Sequence, residues 1–187
     1  MRTTISCLLL LVLLASCSPY RLVEPSQQTI AERYRVTTPV AWTGIAIDHG
    51  EAWTTNGRAL DELSFFAGIQ DGMGLVSPDP NAGDPPAFKS KMRANQIMEL
   101  VTGSLAYAGN QRVRSSKLRP AKFGRLPGFR FEFVFSSEDG LNYGGKAIGA
   151  VANGELHLIV FTAPIAHYFP TQNQNVERIF NSIVVVS

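Results

Sequence analysis

The residues able to do chemistry are few and scattered. The chain carries three histidines, His49, His157 and His167. No two stand at metal-ligand spacing, and no HExxH or His/Cys cluster occurs, so no metal and no cofactor is expected. His49 follows Asp48 in a turn, where a solvated role is the ordinary one. His157 shares a strand face with Ile159 and Phe161, which points to a structural histidine. No serine sits in a GxSxG elbow. Asp61-Glu62 is a carboxylate pair, but neighbours in a strand point to opposite faces, against a shared acid/base site. The stretch Asp79-Pro80-Asn81-Ala82-Gly83-Asp84 fails as a calcium loop. Asp84 stands where the loop needs glycine, and Ser90 where it needs a bidentate glutamate. Gly144, Gly145 and Gly149 precede no helix and make no phosphate cradle; close packing explains them. No catalytic residue is assigned.

His167-Tyr168-Phe169 is the most suggestive cluster, at the junction of an expected strand and helix. Its bland reading is a staple joining helix to sheet. Its functional reading is a binding edge at His167 and Tyr168. Charge is also segregated. Residues 48–84 hold seven acids and one base, and residues 87–130 hold ten bases and one acid. Arg112, Arg114 and Lys117 open an acid-free run ending at Arg130. Strand alternation would put Arg112 and Arg114 on one face, with Pro120 and Gly124 breaking the segment. These bases would meet an anionic membrane surface or an acidic protein partner. Pairing with the acids of residues 48–84 is the rival account. A formal net charge of +2 gives no bulk attraction to nucleic acid.

Two cysteines, Cys7 and Cys17, make no disulfide scaffold. One basic residue, Arg2, precedes an apolar run over residues 5–15. That run is too short to span a bilayer but suits an export signal. It ends Leu14-Ala15-Ser16-Cys17, which resembles the lipobox of bacterial lipoproteins. The resemblance implies cleavage before Cys17, a diacylglyceryl group on its sulfur and acylation of the new amino group. Loss of the first 16 residues removes Arg2 and Cys7, leaving a formal charge of +1. Ser18, not aspartate, follows the cysteine. By resemblance to proteobacterial lipoproteins this favours the inner leaflet of the outer membrane, with the body in the periplasm.

The elements that must carry these residues follow from periodicity and turn chemistry. Residues 1–16 form the signal, residues 17–32 a lipidated flexible tether, and residues 33–187 one globular domain. The 45% hydrophobic content is ample for a core. Extended, the tether would reach roughly 50 Å. Short strands are expected at 34–37 and 42–47. A hairpin turns at Asn56-Gly57 between 51–55 and 59–69. Residues 72–93, rich in proline, read as a surface loop. Apolar residues at three- and four-residue steps give a helix over 95–108, stopped by Gly109-Asn110. Phe129, Phe131, Phe133 and Phe135 alternate with Arg130, Glu132 and Val134 in a half-buried strand. Turns at Asp139-Gly140 and Asn153-Gly154 continue it into strands 141–152 and 155–163. Val176, Ile179, Phe180 and Ile183 mark a second helix. The expected fold is α+β, an antiparallel sheet of about six to seven strands with two main helices.

This order of elements resembles the PsbP-like sandwich, named for the extrinsic protein of photosystem II. Pro127-Gly-Phe-Arg-Phe-Glu-Phe, Asn95-Gln-Ile-Met-Glu-Leu and Ala163-Pro-x-x-His167-Tyr168-Phe169 resemble bacterial lipoproteins. Neither resemblance carries a functional residue over. Two functions remain. One is a non-enzymatic envelope lipoprotein, an interaction or ligand-binding module. The other is an envelope hydrolase with an unrecognised site near His167.

Overall fold

The computed structural model describes residues 19–186; Cys17 lies outside them. Among the described residues eleven strands form two antiparallel sheets, against the six or seven expected. Two strands lie within the expected tether: β1, Tyr20–Val23, and β2, Gln27–Ile30. They then lead into β3, Tyr34–Thr37, and β4, Trp42–Ile47. What orders residues 20–30 is burial at two points. Val23 and Ile30 are fully enclosed in the core, and β1 pairs along its whole length with β4. The β2–β3 turn puts Ala31 and Glu32 at positive φ, so no glycine or asparagine announces it.

The chain continues through β5, Gly50–Thr54, and β6, Glu62–Ile69. Helix α1 is Ala94–Tyr107, within a residue of expectation at each end. At its start the Arg93 amide donates to Gln96 Oε1 (2.9 Å). At its end Gly109 adopts φ +87° and the Asn110 amide donates to the Leu105 carbonyl (3.1 Å), the expected stop. Then come β7, Gln111–Phe123, β8, Leu126–Ser136, β9, Asn142–Ala152, and β10, Glu155–Pro164. Helix α2, Tyr168–Asn181, and the short β11, Val184–Val185, complete the chain.

The large sheet runs β1-β4-β5-β6-β10-β9-β8-β7 and the small one β11-β3-β2. Pro120 does not break β7, because β7 is an edge strand and tolerates a missing N–H. The break comes at Gly124-Arg125, a two-residue turn with Gly124 at φ +58°.

Strand alternation sorts the apolar residues onto two faces. Phe129, Phe131, Phe133 and Phe135 face α1, all at most 7% exposed, together with Phe66, Leu158 and Val160. Trp42, Trp53, Phe65, Ile159 and Phe161 face α2 and the small sheet. Loop 70–93 is not wholly superficial: Phe88 and Leu75 plug the α1-side core.

Candidate functional site

Strand β6 places Glu62, Ser64 and Phe66 on the α1 face by alternation, while Leu63 and Phe65 go to the other core. Strand β10 sets Thr162, Val160 and Leu158 directly opposite them. Helix α1 passes over this surface without filling it. A cavity of about 430 Å³ remains, with Phe66 and Val160 as floor and Val101 and Leu105 as roof.

Polar groups enter this apolar space at defined points. Arg58 Nε sits 2.6 Å from Glu62 Oε2, and Ser64 Oγ donates to Glu62 Oε1 (2.5 Å). The hydrogen bond that Arg58 donates to Glu62 holds its guanidinium protonated beyond its ordinary range, against its partial burial. Asp48 and Ser77 are hydrogen-bonded to one another at the rim. Ser104, on the buried stripe of α1, is 3% exposed, and its hydroxyl has no hydrogen-bond partner. An enclosed hydroxyl without a partner carries a desolvation cost of about 1–3 kcal/mol. The lining is therefore mixed, an apolar floor and roof with an Arg58–Glu62–Ser64 cluster beside them, and a cavity that combines apolar walls with placed polar groups is suited to a small molecule.

Neither Ser64 nor Ser104 stood out as a site residue in the sequence. The available signal was a serine within an otherwise apolar helical stripe, which nothing in the stripe itself requires.

The residues singled out from the sequence are distributed as follows. Arg112 and Arg114 line one groove of about 520 Å³ with the exposed apolar side chains Val134, Leu141 and Ile165. They reach it through a bulge, not through plain alternation. The register slips between Gln111 and Arg114, and Arg112 takes φ +52°. Lys117 lies in a second bulge, at φ +54°, and its Nζ binds Glu132 (2.7 Å). Arg130 binds Glu177 through both carboxylate oxygens (2.7 and 2.8 Å), and Lys146 binds it too (2.7 Å). Among the described residues no ion pair joins this basic segment to the acids of residues 48–84, of which Glu51 pairs with Arg21 and Glu62 with Arg58.

His167 is exposed at the start of α2. Its ring packs edge-on against Tyr168, 5.0 Å between centroids, and its carbonyl accepts from the Thr171 hydroxyl (2.8 Å). Tyr168 and Phe169 pack against the α2-side core, the staple arrangement. Ile165 and Ala166 of the same connection reach the Arg112–Arg114 groove, but His167 and Tyr168 do not line it.

His157 is 6% exposed, between the rings of Tyr34 and Phe123 (6.1 and 6.3 Å). Its Nδ1 accepts from the Gly68 amide (3.2 Å), and burial holds its pKa below the ordinary value, the structural role expected. Asp61 is fully buried. It accepts from the Thr54 hydroxyl (2.7 Å), the Asn56 amide (2.9 Å) and Gln172 Nε2 (3.3 Å). It therefore closes the Asn56-Gly57 loop and ties it to α2, while Glu62 lines the cavity on the opposite face. Among the described residues no group of three or more His, Cys, Asp or Glu is placed to hold a metal, and no helix is long and apolar enough to cross a membrane.

No family model and no curated protein matches the chain. Among solved structures, the cyanobacterial PsbP protein CyanoP of Synechocystis superposes with a TM-score of 0.57 at 13% identity, covering 92% of this chain and 98% of that one. LpqN of Mycobacterium tuberculosis, described as involved in cell envelope biogenesis, gives a TM-score of 0.38 at 10% identity, over 93% of this chain and 88% of its own. The first likeness identifies the fold as PsbP-like.

Proposed function

We propose that the protein is a lipid-anchored, non-enzymatic binding module of the bacterial cell envelope. Cys17 carries the lipid, the body faces the periplasm, and Ser18 directs the protein to the inner leaflet of the outer membrane. The ligand is a small molecule with an apolar part and a polar group, taken up beneath α1. The observation that carries this reading is the cavity itself, where Arg58, Glu62 and Ser64 stand beside an apolar floor of Phe66 and Val160. The groove at Arg112 and Arg114 is a second contact surface, suited to an acidic partner.

Native mass spectrometry of the protein purified from its own membranes tests the ligand. The parent should carry an adduct of fixed mass in addition to its lipid. Ala108 is exposed at the cavity wall, so Ala108→Trp should fill the mouth without crowding the core and abolish the adduct. A parent without an adduct, or an adduct that survives Ala108→Trp, refutes the proposal.

A further inference from the structure

Strand β1 begins at Tyr20, so only Ser18 and Pro19 separate it from Cys17. Three residue steps reach at most about 11 Å. The body cannot drift on a long leash, because β1 is part of the large sheet. All four of its residues pair with β4, Val23 is fully buried against Trp42, and Arg21 is ion-paired with Glu51.

Alternation turns Tyr20 and Leu22 to the face opposite Val23. They are 57% and 65% exposed, and Leu22 is the most exposed large apolar side chain of the described residues. Beside them on β4 stand the exposed Thr43 and the half-buried Ile45. An exposed tyrosine and leucine within 11 Å of a lipidated residue are composed for a headgroup region, where an aromatic ring with a polar tip is favoured.

The opposite edge of the same sheet is β7, with Arg112, Arg114, Lys117, Arg119 and Lys122. Eight strands leave seven gaps, and at about 4.8 Å each the two edges are roughly 34 Å apart along the sheet. That is more than three Debye lengths at about 10 Å.

We infer that the β1 edge is seated on the bilayer surface through Tyr20 and Leu22, holding the basic β7 edge away from the membrane and toward the periplasm. This rests on lipidation of Cys17, which the experiment checks separately.

With Cys17 acylated and Cys7 removed, one introduced cysteine is the only free thiol. The full-length lipidated protein, labelled with an environment-sensitive fluorophore at Thr43→Cys or Lys122→Cys, is placed in phosphatidylcholine vesicles containing headgroup-nitroxide lipid. The Thr43 label should be quenched and the Lys122 label should not. The double variant Tyr20→Glu, Leu22→Glu should keep its incorporated palmitate analogue and lose the quenching at Thr43. No quenching at Thr43, equal quenching at Lys122, or quenching at Thr43 that survives the double variant overturns the orientation. Failure of the parent to incorporate the palmitate analogue overturns the anchor instead.

Discussion

Gly145 tests how the two cores are built. It lies on β9, paired with Phe133 of β8 and Thr162 of β10. A Cβ added there would stand 2.1 Å from Phe133 Cε2 and Cζ. Its φ is outside the left-handed range, so alanine suits the backbone and only space opposes it. The Phe133 ring has little room to yield, with Phe131 at 6.0 Å and Phe135 at 6.3 Å between centroids. Two effects compete in Gly145→Ala. Lower entropy of the unfolded chain contributes about 0.4–1 kcal/mol of stability. Overpacking costs about 1–3 kcal/mol. Overpacking should win, leaving a net loss of about 1–2 kcal/mol, or about 2–8 °C in Tm for a domain of this size. Gly83→Ala is the control: its Cβ would meet nothing within 4 Å, so only the entropic gain remains. In a Phe133→Leu background Gly145→Ala should be nearly neutral, a coupling of about 1–2 kcal/mol by urea denaturation. Strictly additive losses, or a stabilised Gly145→Ala, would show that the ring does not need the glycine.

Three further outcomes follow from the same structure. Burial holds His157 below its ordinary value of 6.5, with Glu155 opposing and Arg33 adding to the shift. The unfolded chain therefore takes up the proton first, and Tm should decline as pH falls below about 6.5; His157→Asn, which keeps an acceptor for the Gly68 amide, should flatten that decline. Burial alone would raise the Glu177 carboxyl, but the hydrogen bonds and charges of Arg130 and Lys146 carry it below its ordinary 4.5. Its stabilisation is complete above that pH and is lost on further acidification, and Glu177→Gln should cost about 2 kcal/mol at neutral pH by leaving two half-buried cations uncompensated. Cys17→Ser should abolish incorporation of a palmitate analogue and leave the precursor uncleaved; equal labelling of variant and parent would remove the anchor from the account.

The parts that were legible in the sequence are those set by local chemistry. The phenylalanine strand follows from a period of two, α1 from its apolar stripe, and its stop from Gly109 at φ +87°. The long middle strand with glycines facing phenylalanines was also readable, because size complementarity shows in residue types alone. What was not legible depends on partners distant in sequence. Tyr20–Val23 and Gln27–Ile30 are only four residues each, and are strands because β4 and β3 lie beside them. Proline at 120 argues against a strand until the strand is known to be an edge. Asp61 was visible as half of a carboxylate pair, but its burial beneath Gln172 required α2 to be in place. The cavity likewise joins Arg58, Ser64, Ser104 and Val160 from four separate parts of the chain.

The basic segment shows how a structural cause and a functional one can share residues. A thirteen-residue edge strand is a template for another chain. Along β7 the ladder is interrupted by bulges at Arg112 and Lys117, Pro120 removes a donor, and charged side chains follow throughout. These devices suffice to keep the edge from pairing, so most of the charge needs no ligand. Lys117 and Arg130 are further accounted for by Glu132 and Glu177. Arg112 and Arg114 differ, because edge protection does not require three exposed apolar side chains beside them. Val134 faces outward from β8, while Leu141 and Ile165 come from two different connections, and all three meet these arginines in one groove. The part of the segment that neither edge protection nor an ion pair accounts for is therefore its N-terminal end. An acidic partner should lose affinity on charge reversal at Arg112 and Arg114, and much less on reversal at Arg119 and Lys122. Equal losses at both pairs would reduce the segment to a diffuse field.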